Sequence, residues 1–527
     1  MLRTVRLLLL LVAASALWAP AALAADPPPY RPALPYAHTT AHFVVHYSSD
    51  PVTEAAITQS QARDLGARAE AAYALAASWG FPAPLDDGDG LIDIYVVDLS
   101  TTGGGIAYSI ADGVGLTSSG SIDISPAYLT STATVAHELF HLIQFGIWLP
   151  DDLWILEATA EWAGAKAESF PASLVSTIPF EMSLDCVDPL YDLGHTHCAT
   201  SAYDNGGYSR WPFFQFLAER FGASIVKEIF LAGAATGSSA TPPATAVQTA
   251  LAARGATFVD VFNDWTVANM NGGYATSALK ALKPEPYATV STGASSGTVA
   301  PVVVTVDHLA ARYVAFTRGT GSLAGLCHPA SLTITVSLPA GVSARPYFSW
   351  AGESAVPLAV SGTKATATVP WNTCTTSETG LLSLPNPSLG VDGASFTVGG
   401  SIAVDKTRIA SATSPKPGTY TGPTVPAPLA EEPPTIALYG PETLRVSKKS
   451  RVVRLVVFAS GGGRLDVRLG SLSLGRRTLR AGNNDVRFTL PATALRTLAS
   501  TRVLRVTSES TDGTRGETVS RKLVFTK

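Results

Sequence analysis

The sequence predicts an α+β domain followed by two all-β domains, and three observations support this fold class. Between about residues 40 and 275, short runs with strand period alternate with longer segments whose apolar residues recur at helical spacing. From about residue 284, apolar and polar residues alternate at strand period, with Gly, Ser and Pro between the runs. A proline-rich stretch then precedes a last group of short strands. A chain of 527 residues is too long for one core, and a typical domain of about 150 residues gives roughly three domains.

Residues 1–24 have the pattern of a signal peptide. Arg3 and Arg6 precede an apolar run at 7–17, and the Ala-x-Ala pattern at 22–24 fits a cleavage site. No later segment reaches the roughly 18 continuous apolar residues that a membrane helix needs. We therefore expect a secreted or extracellular protein, with the periplasm and the cell surface as alternatives, and no membrane span after cleavage.

The α+β domain is assigned to residues 25–283. Its strands are predicted at 42–47, 91–99 and 121–125. Its helices are predicted at 52–79, from Thr130 or Ser131 to Gly146, at 153–166, and then at 210–221, 225–231, 244–254 and 259–268. Because the connection between Gly146 and residue 153 is short, the two helices that it joins are expected to be antiparallel neighbours.

Two all-β domains follow, at 284–412 and 435–527. Runs such as SLTITVSL and KATATVP predict a β-sandwich in the first, and runs such as RVVRLVVFA and NDVRFTL predict an immunoglobulin-like sandwich in the second. Residues 413–434 contain seven prolines and are predicted to be an extended linker.

Charge is distributed unevenly along the chain. The whole chain has a formal net charge of −4, yet residues from 431 onward contain 18 Lys and Arg against 8 Asp and Glu. This excess has two interpretations, contact with an anionic surface polymer or a solvated arginine-rich face, and the second is favoured. Since no nucleic-acid motif or aromatic interleaving accompanies the basic residues, nucleic acid is not an expected partner.

Four cysteines are present, and an even number in an exported chain predicts disulfide bonds. The pairing Cys186 with Cys198 and Cys327 with Cys374 is the one set that keeps each bond within one proposed domain. The sequence has no CxxC spacing, which argues against a Cys-rich metal cluster.

The most informative motif is HExxH at 137–141. On a helix, His137 and His141 lie about one turn apart on one face, where both imidazoles can bind one metal ion, with Glu138 beside them. Hydrolytic zinc sites use this arrangement with a third protein ligand and a water in the fourth position. The motif therefore predicts one Zn²⁺, with Glu138 as the general base.

The third ligand must come from outside the motif. Gln144 and Ile147 occupy the positions where the pattern HExxHxxGxxH needs Gly and His, which excludes a third histidine of that type. The following helix carries Glu157 and Glu161 on one face. Fifteen residues separate His141 from Glu157 and nineteen separate it from Glu161, so the residues alone leave both carboxylates as candidates.

These motifs resemble the gluzincins, the thermolysin-like and aminopeptidase-like zinc peptidases, and among them most closely a group of uncharacterised secreted bacterial members. The resemblance covers about residues 40–275 and includes the HFVVHY and LIDIYVVDL strands and the run YSRWPFFQFLAERFG. It implies a zincin-like catalytic domain in which Glu157 is the third zinc ligand and Glu161 orients a zinc-bound histidine. The spacing from His141 to Glu157 is shorter than in the best-known members.

The resemblance also implies the function of a secreted zinc metallopeptidase that cleaves protein or peptide substrates. A hydrogen-bond donor for the oxyanion is needed, and Tyr208 is the first candidate and Tyr203 the second. The strand at 121–125 is expected to hold the substrate backbone. Since no GxMEN-type element marks an aminopeptidase, an endopeptidase is preferred. The alternative is a catalytically degenerate zincin that acts as a cell-surface or polymer binding protein.

A second metal, Ca²⁺, has weaker support. The DDGDG run at 86–90, together with Asp93, has part of the calcium-loop pattern but lacks the full spacing and the late glutamate. A tight polar turn is the preferred interpretation of this segment.

Overall fold

The fold was analysed in a computed structural model. It describes residues 33–53, 55–85, 88–99, 104–110, 117–152, 154–170, 183–185, 206–281, 283–292, 296–318, 329–350, 354–372, 379–405, 436–439, 443–447, 452–459, 463–469, 472–479, 482–490, 502–509 and 515–526.

The N-terminal region contains one five-stranded sheet. Its strands are β1 (Tyr36–Thr39), β2 (Phe43–Tyr47), β3 (Ile92–Val96), β4 (Gly105–Ile110) and β5 (Ser119–Ile124), in the spatial order β1-β2-β3-β5-β4. The three central strands β2, β3 and β5 are parallel, while β1 and β4 pair antiparallel at the two edges. Strand β4 was not predicted from the sequence, because the alternation of Ile106, Tyr108 and Ile110 with Ala107 and Ser109 is short and follows the loop-like run TTGGG at 101–105.

Eight α-helices are described in the same region. They are α1 (Gln59–Ser78), α2 (Thr132–Phe145), α3 (Trp154–Ala167), α4 (Trp211–Phe221), α5 (Ser224–Ala234), α6 (Pro243–Ala253), α7 (Phe258–Asn271) and α8 (Ser277–Lys280). Helix α1 begins later than predicted because Thr58 and Gln61 form a capping box at its N-terminus. Helix α2 begins after Ser131, whose side chain accepts from the N–H of Thr134, as the sequence predicted.

Helices α2 and α3 pack antiparallel. Gln144 near the end of α2 donates to the carbonyl of Leu156 near the start of α3. At the other end of the pair, a Cβ atom on Gly164 of α3 would lie 2.8 Å from the carbonyl oxygen of Ala133 on α2. The small residue lets the two backbones approach closely, so side chains that face the gap between the helices are held near one another.

A strand-only region follows in the described residues from 284 onward. Its first part has two sheets, β11-β10-β14-β8-β6 and β12-β13-β9-β15-β7, whose buried residues form one shared core. The strands are β6 (Ala288–Thr292), β7 (Gly297–Val306), β8 (Ala310–Arg318), β9 (Pro329–Ser337), β10 (Tyr347–Trp350), β11 (Val356–Pro357), β12 (Ala359–Ser361), β13 (Lys364–Asn372), β14 (Thr379–Asn386) and β15 (Ala394–Val404).

The last part also has two sheets, β16-β18-β21 and β17-β23-β22-β19-β20. Its strands are β16 (Ile436–Tyr439), β17 (Thr443–Ser447), β18 (Val452–Ala459), β19 (Gly463–Leu469), β20 (Leu472–Leu479), β21 (Gly482–Thr489), β22 (Arg502–Glu509) and β23 (Arg515–Thr526). Most pairs are antiparallel, but β17 runs parallel to β23.

The turn between β7 and β8 joins the first strand-only region to the helical region. Leu309 in this turn is buried within the core of the helical region. Its neighbour His308 lies between two carboxylates, with Nε2 2.6 Å from Asp185 and Nδ1 2.5 Å from Asp392. Ser183 donates to the carbonyl of His308 at 2.6 Å. These contacts of His308 with Asp185, Asp392 and Ser183, called the clasp below, hold the segment at 183–185 against the β-region.

The coarse fold prediction, helices mixed with strands followed by strands alone, is confirmed for the described residues. The predicted signal peptide, the linker at 413–434 and all four cysteines lie outside the described residues. None of the helices described has the length and apolar character needed to cross a lipid bilayer.

Candidate metal centre

Helix α2 places the two histidines and the glutamate of the HExxH motif at one point. His137, Glu138 and His141 are all buried, and one nitrogen or oxygen atom from each lies within 4.8 Å of the others. The Nε2 atoms of the two histidines are 3.0 Å apart. This arrangement is compatible with a metal ion bound between the imidazoles, as the one-turn spacing predicted.

Glu157, from the first turn of α3, completes the group. Its Oε2 atom lies 3.3 Å from Nε2 of His137 and 3.5 Å from Nε2 of His141. Donor atoms around a tetrahedral ion with bonds of about 2.0–2.2 Å lie about 3.3–3.5 Å apart. The Oε2 atom is buried and accepts no hydrogen bond from the described residues. A buried carboxylate oxygen of this kind needs a cation or a donor, so the three residues fit a metal ion.

The opposite ring nitrogen of each histidine is also held. Nδ1 of His137 lies 2.9 Å from Oε2 of Glu161, and Nδ1 of His141 lies 2.8 Å from Oε1 of Gln144. Both acceptors direct the proton of a neutral imidazole to Nδ1 and leave the Nε2 lone pairs facing each other. Glu161 therefore lies behind His137, away from the point where the Nε2 atoms meet Glu157.

The electrostatics of the centre favour a cation. Burial opposes the charged form of His137, but Glu157 and Glu161 outweigh it and raise the pKa of this histidine. Burial also works against ionisation of Glu157, yet the charges of His141 and His137 lower its pKa. Three carboxylates around two imidazoles attract positive charge, and the field that holds a proton on His137 can hold a metal ion instead.

The side chain of Glu138 extends from helix α2 toward strand β4. Burial raises the pKa of Glu138, against the opposing effect of the two histidines, and the N–H of Ala107 donates to its carboxylate. A Cβ atom on Gly105 would lie 2.6 Å from Cγ of Glu138, so only glycine leaves room for this side chain. The carboxylate thus faces the N-terminal half of β4.

Among the described strands, β4, and not the predicted strand at 121–125, has an unpaired edge at this centre. The predicted strand is β5, and both of its edges are used, because it pairs with β3 on one side and with β4 on the other. The prediction that this strand holds a substrate backbone is therefore wrong. Among the described strands, none pairs with the outer edge of β4.

Tyr208 lies over His137. The two rings are parallel, with an interplanar angle of 6° and a centroid separation of 5.4 Å. Tyr208 belongs to a 3-10 helix at Gly206–Arg210 that lies close to α3. A Cβ atom on Gly207 would lie only 2.9 Å from Cβ of Glu157, so the absence of a side chain on Gly207 permits this approach. Burial and the negative charge of the nearby Glu157 carboxylate raise the pKa of Tyr208, so its hydroxyl keeps its proton. Tyr203 lies outside the described residues.

Three residues shape the centre in ways that the sequence analysis did not predict, Gln144, Gly105 and Gly207. Gln144 could have been found, because a polar residue three positions after His141 shares its helix face. The two glycines carried no local signal, since their contacts are with residues distant in sequence.

The segment with the partial calcium pattern forms polar contacts with the protein itself. Oδ1 of Asp89 accepts from the N–H of Leu91 at 2.9 Å, and Asp93 lies 2.9 Å from Nε2 of His46. Residues 86 and 87 lie outside the described residues. These contacts agree with a polar turn.

Comparisons with known proteins add little to this geometry. No family model matches the chain, and no curated protein sequence matches it. Solved structures with local similarity include the fibronectin(III)-like modules of Clostridium thermocellum CbhA, at 12% identity over 17% of this chain and 95% of that chain, with a TM-score of 0.14. The adhesin domain of Epf from Streptococcus pyogenes matches at 10% identity over 44% and 73% of the two chains, with a TM-score of 0.17. These scores are too low to carry an argument about function.

Proposed function

We propose that the protein is a secreted zinc-dependent metallopeptidase with a zincin-like catalytic domain. The observation that carries the proposal is the convergence of Nε2 of His137, Nε2 of His141 and Oε2 of Glu157 within 3.0–3.5 Å, beside the buried carboxylate of Glu138. Two imidazoles and one carboxylate form the donor set of catalytic zinc sites in peptidases. In this assignment Glu161 orients His137 and is not a ligand, because it contacts the Nδ1 atom.

The roles of the surrounding residues follow from their positions. A Zn²⁺ ion held by His137, His141 and Glu157 would polarise the scissile carbonyl and would lower the pKa of its bound water to about 7. Glu138 accepts the proton of the attacking water on its carboxylate and delivers it to the leaving amide nitrogen. The hydroxyl of Tyr208 donates to the developing oxyanion. A buried base beside two metal ligands distinguishes this centre from a purely structural metal site, which needs no base.

The substrate is proposed to be an extended peptide paired with the outer edge of β4. Its N–H and C=O groups would bond to the backbone groups that this edge leaves unpaired among the described strands. Because Glu138 faces Gly105 in the same strand, such a peptide lies beside the general base. This placement favours an endopeptidase, since an extended chain can lie along the strand on both sides of the scissile bond.

Metal analysis and peptide cleavage together test the proposal. We expect the purified mature protein to contain one zinc per chain and to cleave members of a peptide library, and we expect a chelator to abolish the cleavage and added Zn²⁺ to restore it. Absence of stoichiometric zinc, with no chelator-sensitive cleavage, would favour the alternative of a degenerate zincin that acts as a surface-binding protein.

A second proposal, contact with an anionic polymer, concerns the strand-only region at the C-terminus. Strands β19, β20 and β22 place four exposed arginines on one sheet face, Arg464, Arg468, Arg476 and Arg505. Arg468 and Arg505 are direct cross-strand partners. Arg468 also forms an ion pair with Asp466 at 3.1 Å, so the basis for proposing a bound polyanion is the excess of arginines over acidic residues on this face. This contact would tether the enzyme to an acidic surface polysaccharide.

A further inference from the structure

We propose that Gln144 is a positioning residue of the metal centre, which holds the imidazole of His141 and the first turn of α3 in one hydrogen-bond network. The proposal rests on the proposed zinc site and identifies how this chain holds two of its ligands in place. Gln144 follows His141 by three residues on α2 and is fully buried, with 0% of its surface exposed.

The orientation of the Gln144 amide is determined by its partners. Its Nε2 group donates to the carbonyl of Leu156 at 2.9 Å and to Oγ1 of Thr159 at 2.7 Å. The hydroxyl of Thr159 donates its own proton to the carbonyl of Ile155 at 2.7 Å, so it accepts from Gln144. Since both amide hydrogens point toward α3, the amide oxygen faces His141.

This orientation selects the tautomer of the His141 ring. The amide oxygen can only accept, so Nδ1 of His141 donates to it over 2.8 Å and carries the ring proton. Nε2 is then left with a free lone pair, in the direction of Oε2 of Glu157. A rotated ring, or the other tautomer, would break the bond to Gln144 and leave a buried amide oxygen unsatisfied.

The same amide holds the helix that carries the third ligand. Leu156, whose carbonyl accepts from Gln144, immediately precedes Glu157. The first turn of a helix is its least constrained part, because its N–H groups have no partners within the helix. Asp152 accepts from the N–H of Trp154 at 3.4 Å, and the bonds of Gln144 to Leu156 and Thr159 are shorter than this one. Gln144 therefore couples the position of Glu157 to the orientation of His141.

The loss of residues that orient metal ligands typically weakens metal binding by about 10–100-fold. Gln144→Leu keeps the approximate volume and removes all three hydrogen bonds. The matched control is Gln215→Leu, since Gln215 is a buried glutamine that bonds to Trp162, Glu219 and Thr276 and contacts none of the proposed ligands.

The experiment measures Zn²⁺ affinity of the full-length mature protein by competition with a chromophoric chelator, and records the visible spectrum of the Co²⁺-substituted protein. We expect Gln144→Leu to bind Zn²⁺ about 10–100-fold more weakly and to shift the Co²⁺ bands, while Gln215→Leu binds within about twofold of wild type. Wild-type affinity and an unchanged spectrum in Gln144→Leu would overturn this proposal and leave the zinc site standing.

Two further outcomes are also decisive. If the wild type itself binds no Zn²⁺, the proposed function fails and this inference fails with it. If Gln144→Leu does not fold, Thr159→Val replaces it, because that change keeps a similar volume and removes the hydroxyl that accepts from Gln144 and donates to the carbonyl of Ile155. We expect Thr159→Val to weaken Zn²⁺ binding about two- to tenfold, and wild-type affinity in this variant would overturn the proposal.

Discussion

Gly105 and Glu138 are in direct contact, since a Cβ atom on Gly105 would lie 2.6 Å from Cγ and 2.7 Å from Oε1 of Glu138. The N–H of Ala107, two residues further along β4, donates to the same carboxylate. One short strand therefore positions the proposed general base and also presents the edge on which a peptide would lie. The position of the base and that of the substrate are thus linked through the backbone of β4.

Gly105→Ala should displace Glu138 without removing a metal ligand. The added methyl group cannot coexist with the Glu138 side chain in its present position, and a misplacement of about 1 Å can cost about 10²-fold in rate. We expect kcat/KM to fall by about that factor while zinc content stays at one per chain. Gly104→Ala is the control, because its methyl group would meet the half-exposed ring of Tyr128, which can move into solvent. Equal losses in the two variants would contradict the assigned role of Gly105.

Glu138→Gln should separate metal binding from catalysis. The amide has nearly the same shape as the carboxylate but cannot accept the proton of the attacking water, so we expect peptide cleavage to fall by about 10²–10⁴-fold with zinc retained. Glu285→Gln, at an exposed position in the connection to β6, should cleave at the wild-type rate. Cleavage by Glu138→Gln at more than about a tenth of the wild-type rate would exclude this residue as the general base.

The sequence predicted the parts of this centre that depend on local spacing, and the structure added the parts that depend on contacts between distant segments. The separation of His137 and His141 by one helical turn follows from helix periodicity, and so does the position of Glu157 and Glu161 on one helix face. The antiparallel packing of α2 on α3 determines that Glu157, and not Glu161, lies beside the Nε2 atoms of the two histidines, and local spacing does not encode this packing.

Strand β4 was missed for the same reason. Its alternation of Ile106, Tyr108 and Ile110 with Ala107 and Ser109 is short and follows a run of Thr and Gly, and its position at the sheet edge is determined by pairing with β5. The substrate edge was consequently assigned to β5 from the sequence, since the order of strands in a sheet is not encoded in local periodicity.

Tyr208→Phe should lower the rate of cleavage and leave zinc binding nearly unchanged. The ring that stacks on His137 is kept, and only the hydroxyl beside Glu157 is lost. The loss of one oxyanion donor typically lowers kcat by about 10²-fold or more. Tyr287→Phe, at an exposed tyrosine just before β6, serves as the control. A wild-type kcat in Tyr208→Phe would transfer the donor role to another residue, with Tyr203 the next candidate.

The paired arginines of the C-terminal sheet provide a test of the proposed polymer contact. We expect Arg468→Ser with Arg505→Ser to weaken retention of the full chain on immobilised polygalacturonate and to reduce its salt dependence. The same change also removes the ion pair of Arg468 with the buried Asp466, so the unfolding temperature should fall and retention is measured well below it. Arg63→Ser with Lys280→Ser removes the same charge from exposed sites in the helical region and should leave retention unchanged. Equal effects of the two double variants would show non-specific charge attraction only.

The clasp around His308 should make stability depend on pH. Hydrogen bonding to Asp185, against the opposing effect of burial, raises the pKa of His308 to about 9, and Asp392 adds to the rise. The folded protein therefore holds this proton more tightly than the unfolded chain, whose histidine titrates near about 6.5. The stabilisation is complete below about pH 6.5 and is lost as the pH rises through about 9.

Denaturant unfolding at a series of pH values measures this contribution. We expect the wild type to lose about 2 kcal/mol more than His308→Gln between about pH 6.5 and 9.5, because glutamine keeps hydrogen bonds but does not titrate. Asp392 is about half exposed, so solvent screening limits its share of this energy. Parallel pH profiles for the wild type and His308→Gln would show that the clasp is held by hydrogen bonds alone and that the charge of His308 contributes nothing.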